Sequence, residues 1–224
     1  MLRNPVYQSL RLNDSHLGFV KGKVAAFDEA VSPFAGFEEG YADGFNELYS
    51  LLPAGRSILY ATPQLITTPG NWKLSVAIEG LQFVYEGAAQ PMPPQLHLTP
   101  LTTEHVPQMM ELTKLTRPGP FGPRTIEFGH YYGVFEGDKL QAMTGQRLHI
   151  ENYTEISAVC THPSCLGKGF ATALVQFQVN LILSHQQIPF LHVRADNHRA
   201  IEIYKRLGFA EQGPMNFYFL KKED

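Results

Sequence analysis

Residues 161–175 read THPSCLGKGFATALV. Small residues and one lysine separate an apolar run ending at Thr161 from an amphipathic pattern that begins near Gly169. A strand that enters a helix through glycines leaves backbone N–H groups unpaired at the positive helix end, where they can converge on an anion. Gly167 and Gly169 permit dihedrals closed to other residues and let a bulky oxyanion approach, while Lys168 adds a charge. The stretch has neither the full GxGxxG pattern nor GxxxxGK followed by Ser or Thr. On this loop alone, a phosphate cradle and an ordinary glycine-containing turn stand level. In the following helix, Phe170, Leu174, Phe177 and Leu181 fall on one stripe with Ala173 beside it, which predicts a helix pinned against a sheet.

Working outward, YTEISAVCT before the loop and PFLHVRA after the helix read as strands, and a strand-helix-strand unit of this kind requires a parallel crossover. Upstream, HYYGVFEGDKLQAMTGQRLHI reads as a hairpin turning at Gly137 and Asp138. A helix is predicted from Glu104 to Leu115, N-capped by Thr103, with Pro107 tolerated in its first turn. Downstream come a helix over NHRAIEIYKRLG and a closing strand pair or bent strand. The fold class is therefore α/β with a mixed sheet. Three prolines in the stretch 88–95 mark a linker and divide the chain into a smaller α/β module, 1–94, and a second domain, 95–224. In the first module a helix is predicted from Phe34 to Leu52, with strands over SILYAT and WKLSVAIEGLQFVYE, the latter turning at Gly80. Its acids Glu38, Glu39, Asp43 and Glu47 fit a solvated helix face.

Composition limits the partners. The chain has 224 residues, 44% hydrophobic and 17% charged, with a formal net charge of -3 and no long basic run. That excludes a field that would gather nucleic acid. No stretch approaches the roughly 18 apolar residues of a membrane span, and the N-terminus lacks an apolar signal core, so a cytoplasmic location is expected. Cys160 and Cys165 form no disulfide framework or zinc-site spacing and are read as reduced thiols, and no metal site is expected.

The decisive addition is LHVRADNHRAIEIYKRLGF, residues 191–209. Asn197, Ala200, Tyr204, Gly208 and Phe209 match the pattern N-x-x-A-x-x-x-Y-x-x-x-G-F, and Gly169 and Ala171 match a loop pattern of Gln or Arg, two residues, Gly, one residue, Gly or Ala. With both in place the chain, over roughly 98–220, resembles the GNAT superfamily of CoA-dependent N-acyltransferases, nearest its glycine N-acyltransferase-like C-terminal subgroup. Leu166 departs from the family's Gln or Arg. The resemblance implies acetyl-CoA as acyl donor, its pantetheine paired with Val159, Cys160 and Thr161 in a splay between two parallel strands. Its pyrophosphate would lie on Gly167, Lys168, Gly169, Phe170, Ala171 and Thr172, with Asn197 as cap and ligand contact.

Catalytic roles follow from the resemblance and the chemistry of amide formation, which needs a neutral amine, a held oxyanion and a proton for the leaving thiolate. Tyr204 stands at the family position for the proton donor, although packing on its helix stripe is the ordinary use of such a tyrosine. A backbone N–H near Val159 or Cys160 is the oxyanion donor. Two residues compete as general base: Glu155, a charge within an apolar strand, and His192, on the next strand. Cys160 is not favoured as a nucleophile, since no base is assigned to it by spacing. His130, Tyr131, Tyr132 and the loop from Arg117 to Arg124 are expected to line the acceptor side, where the two arginines could meet a carboxylate. The expected function is direct acetyl transfer to a primary amine of a small molecule or amino acid, with a homodimer allowed for. The alternative is a non-catalytic acyl-CoA sensor. A nucleotide-binding module ranks last, lacking the P-loop hydroxyl residue and a convincing magnesium carboxylate.

Overall fold

Two series of elements follow one another, the second repeating the order of the first with an added strand at its start and an added helix before its last two strands. The first is α1 (Pro5–Arg11), β1 (Gly18–Lys21), β2 (Val24–Phe27), β3 (Ala35–Phe37), α2 (Gly44–Leu51), β4 (Ser57–Thr62), β5 (Trp72–Ile78) and β6 (Gly80–Tyr85). The second opens with the short β7 (Thr99–Pro100) and α3 (Val106–Thr116). It continues with β8 (Tyr132–Glu136), β9 (Lys139–Ile150), β10 (Tyr153–Thr161), α4 (Phe170–Ser184), β11 (Ile188–Arg194), α5 (His198–Arg206), β12 (Phe209–Pro214) and β13 (Asn216–Lys222). The computed structural model describes residues 2–91 and 96–223, so residues 92–95, and with them the end of the expected linker and the boundary at 94/95, lie outside the described residues. The described part of that linker is held: Gln90 N–H donates to Asn180 Oδ1 at 3.0 Å, and its carbonyl accepts from Asn180 Nδ2 at 2.7 Å.

The elements predicted for the second half form where periodicity placed them. The N-terminal helix expected from Phe34 to Leu52 does not: its first part is β3, paired to β2, and only Gly44–Leu51 is helical. Gly40, at φ +81°, separates the two. The α3 region begins one residue earlier than expected, with the Thr102 N–H donating to His105 Nδ1 at 2.9 Å. In α4 the buried stripe is Val175, Val179 and Ile182 beside Ala173 and Leu174, while Phe177 lies half-buried against Tyr132.

Gly80 is no hairpin turn, for β5 and β6 enter different sheets. One sheet has seven strands in the order β12-β6-β11-β10-β9-β8-β7, and another has the order β4-β13-β5. A third, β1-β2-β3, approaches β4 through a parallel bridge between Phe34 and Leu59. In each half the last strand has left home: β6 pairs antiparallel with β11 and β12, and β13 pairs antiparallel with β4 and β5. The two segments exchange terminal strands reciprocally, and backbone ladders cross the expected boundary in both directions. One core runs through both, joining Val6, Phe27 and Phe34 to Met143, Phe190 and Met215. Full burial of each large apolar side chain contributes about 1.5–3 kcal/mol.

Candidate active site

Strands β10 and β11 are parallel, but their register holds only from Tyr153–Glu155 against Ile188–Phe190. Beyond Glu155 they part. On the other side β10 shifts register against β9 between Ser157 and Cys160, so that Ala158 and Val159 have no partner there, and Ala158 takes φ +52°. A bulge of this kind bends the strand and re-aims its backbone groups. The opening between the strands is a cavity of about 1030 Å³. Residues 156–161 form one wall and 192–194 the other, with Asn197 and Tyr204 of α5 and the loop 116–121 completing it. Thr161 Oγ1 is buried there without a hydrogen-bond partner among the described residues. An open strand edge and an orphaned hydroxyl fit the amide-bearing arm of a pantetheine, which can pair with both.

At the end of β10 the chain makes a 3₁₀ turn over Pro163–Cys165 and passes Gly167 and Gly169, at φ +87° and +81°, into α4. Gly169 is the N-cap and makes no side-chain cap. The first N–H beyond it to find a backbone carbonyl is that of Ala173, on Gly169 O at 3.1 Å. The N–H groups of Phe170, Ala171 and Thr172 are thereby left for an external acceptor, at the positive end of a 15-residue helix. Lys168 is paired, its Nζ lying 2.5 Å from Glu136 Oε1 and 5.8 Å from the centre of the Phe170 ring.

Tyr204 reaches the cavity from α5, and its hydroxyl has no hydrogen-bond partner among the described residues. Burial pushes its pKa up to about 12, so the phenol keeps its proton at neutral pH and offers an O–H donor inside the cavity. Asn197 caps α5, its Oδ1 accepting from the Ala200 N–H at 3.2 Å. Burial likewise pushes the Cys160 thiol up to about 12, against a nucleophilic thiolate.

The two base candidates are brought together, and each is spoken for. Glu155 is fully buried and accepts from Arg147 Nε and Nη2, both at 2.8 Å, and from His192 Nδ1 at 2.8 Å. Burial alone would raise its pKa, but the Arg147 charge and the bonds from Arg147 and His192 overrule it and hold the carboxyl at about 2. Such an acid is a weak base, and it does not line the cavity; in this geometry Glu155 is a counter-ion. His192 does line the cavity. Leu2 N–H donates to Gln82 Oε1 at 2.6 Å and Leu2 O accepts from Gln82 Nε2 at 3.0 Å, which fixes the amide's orientation. Gln82 Nε2 therefore donates to His192 Nε2 at 3.0 Å, and the imidazole carries its proton on Nδ1, toward Glu155. Neither ring nitrogen keeps a lone pair for a substrate amine.

Of the residues expected on an acceptor side, Arg117 and the loop to Phe121 line the cavity. Arg124 does not; it is paired with Asp28 and Glu127. Tyr131 is buried, Tyr132 packs on Phe177, and His130 bonds through its carbonyl to Gln178. Arg147 and Gln82 escaped sequence reasoning. Arg147 was within reach: across the tight turn after β9 it stands directly opposite Glu155, an opposite-charge cross-strand pair. Gln82 carried no signal, since its strand belongs by sequence to the other half.

Comparison with known proteins matches residues 131–219 to the family described as FR47-like protein. No curated protein matches the chain. Among solved structures, a GNAT-family acetyltransferase from Novosphingobium aromaticivorans is 30% identical, with 100% of this chain and 99% of that chain covered and a TM-score of 0.92. A Drosophila protein (13% identical, 100% and 92% covered, TM-score 0.69) and a GCN5-related N-acetyltransferase from Kribbella flavida (13%, 92% and 89%, 0.58) share the fold. Agreement with the Novosphingobium protein over both whole chains places this protein in the GNAT family of acetyltransferases.

Proposed function

We propose that the protein transfers an acetyl group from acetyl-CoA directly to the primary amine of a small molecule or amino acid, in a ternary complex and in the cytoplasm. The observation that carries this reading is the opened β10–β11 edge with the unpartnered Tyr204 hydroxyl inside it and free N–H groups at the α4 terminus beyond it. Acetyl-CoA would supply the activated acetyl group, and the chain's residues do the rest. The N–H groups of Phe170, Ala171 and Thr172 would hold the pyrophosphate, and the edge from Val159 to Thr161 the pantetheine. A backbone N–H at the bulge would stabilise the thioester oxygen as the amine lone pair adds to the carbonyl carbon. When the carbon–sulfur bond breaks, Tyr204 Oη protonates the sulfur, the proton lost by the amine passes to water, and water returns a proton to the Tyr204 phenolate. The resemblance to the glycine N-acyltransferase-like subgroup is in keeping with a small acceptor.

Calorimetric titration with acetyl-CoA, free CoA and ATP tests the reading. Micromolar binding of acetyl-CoA without an ATP response supports it; no CoA binding would sink it. A non-catalytic acyl-CoA sensor is favoured by one observation, that both basic candidates at the cleft are engaged. Thiol release on an amine panel separates the two readings.

A further inference from the structure

We infer that the acceptor amine carries a carboxylate and that Arg147 selects it, an inference that rests on the acyltransferase reading above. Arg147 comes from β9, yet it lines the cavity between β10 and β11. Three contacts immobilise it: Nε and Nη2 each lie 2.8 Å from Glu155, and the group sits 4.8 Å over the Phe34 ring. A guanidinium has five N–H donors in a rigid fork, and Glu155 takes only one edge of it. Nη1 has no hydrogen-bond partner among the described residues, and Glu155 itself does not line the cavity. What faces the ligand space is therefore the unused donor edge. It is aimed, dried on one side by an aromatic ring, and held by a carboxylate that cannot move.

Its surroundings decide what it would take. Lys114 and Arg117 line the same cavity and form no ion pair among the described residues, whereas Arg194 is paired with Asp196. The opposing charge on that wall is Glu111. Because Glu155 already offsets Arg147, a single negative charge is the most the open edge and its neighbours would compensate, which favours a carboxylate over a phosphate dianion. The arrangement places the anion-accepting edge in one cavity with the Tyr204 hydroxyl and the bulge of β10. A small amine anchored by its carboxylate would thus be held with its nitrogen free to reach the thioester.

A panel of amines tests this with the acceptor still unidentified. The standard amino acids, their methyl esters and the amines left by removing the carboxylate are assayed with acetyl-CoA by thiol release, after calorimetry has established acetyl-CoA binding. The free acids are expected to exceed their esters by at least about tenfold in kcat/KM. In Arg147→Lys, which keeps the charge but not the fork, that acid-to-ester preference is expected to fall by about tenfold, read as a rise in KM for the acid. Equal use of acid and ester, or equal changes for both in the variant, overturns the inference and leaves the acyltransferase reading standing. So does a panel on which only carboxylate-free amines turn over; binding of acetyl-CoA with no turnover on any amine overturns the inference and favours the sensor over the acyltransferase. Should Arg147→Lys not fold, the acid-to-ester comparison in the unaltered protein decides. Absence of acetyl-CoA binding removes both readings together.

Discussion

The two halves of this molecule use one plan and reach different ends. In each, a helix precedes two antiparallel strands and a third, a second helix crosses to a parallel neighbour, and the strand beyond is borrowed from the other half. In the C-terminal half the parallel pair is splayed and its crossover helix opens with uncapped N–H groups behind glycines. In the N-terminal half the corresponding place is filled. Phe37 of β3 stacks on Tyr60 of β4 at 5.0 Å, Phe45 packs edge-on to both, and Asn4 Nδ2 donates to Phe37 O at 2.8 Å. Only about 290 Å³ remains, and the 8-residue α2 is approached through Glu38, Glu39 and Asp43 and carries Glu47 in its first turn. Carboxylates there repel the phosphates that the other loop would attract. The plan supplies a place for a site; the open edge and a loop without carboxylates supply the site.

The sharpest break between the halves should appear when a charge is removed. Glu155→Gln leaves Arg147 buried and unpaired, and should cost about 3–5 kcal/mol of unfolding free energy, read from urea denaturation. Glu39→Gln, which breaks the exposed Arg3–Glu39 pair of the other half, should leave the urea midpoint where it was. Next in size, Tyr204→Phe should lower kcat by about 100-fold while acetyl-CoA affinity in calorimetry holds. Turnover equal to the parent would remove the phenol from the reaction.

Gly169 and Gly40 make a matched pair: each has φ +81°, and a Cβ on either would meet nothing within 4 Å. Valine at either should therefore cost a similar amount through backbone strain, about 1–2 kcal/mol. Only Gly169→Val should also weaken acetyl-CoA binding, by about tenfold. Equal acetyl-CoA affinity in both variants would show that the α4 terminus is no cradle.

The last effect is one of pH. Glu155 is a carboxyl lowered on folding to about 2 from an ordinary value of about 4.3. The stability it contributes is fully present above about pH 4.3 and is lost as pH falls through about 2. Urea midpoints of the parent and of the Arg147→Gln, Glu155→Gln double variant should converge across that window and keep a constant separation above it.

Local patterns made the C-terminal half readable. Its strands and helices are long enough to show their periods, and Tyr204 and Asn197 sit within one helix and its cap. Strand β3 has three residues, too few to display an alternation, so the helical spacing of its neighbours overran it. The buried charge of Glu155 was visible as an anomaly, but its explanation, a cross-strand arginine and a histidine held by Gln82, depends on contacts that no local window contains. The exchange of β6 and β13 was invisible for the same reason. A strand's alternation reports which of its faces is buried and says nothing about its neighbours.

That exchange dictates when the chain can fold. Strand β6 waits for partners more than 100 residues later, since Leu81 pairs with Val193, and β4 waits for β13, with Ser57 facing Lys221 almost at the C-terminus. Closing loops of that length precedes the contacts that reward it, which slows folding and keeps strand edges open meanwhile. On the ribosome, then, the N-terminal half leaves the exit tunnel with a gap between β4 and β5 and no sheet to receive β6. Neither exchanged sheet can be completed by one half alone, and β13 closes the sheet that β4 and β5 begin.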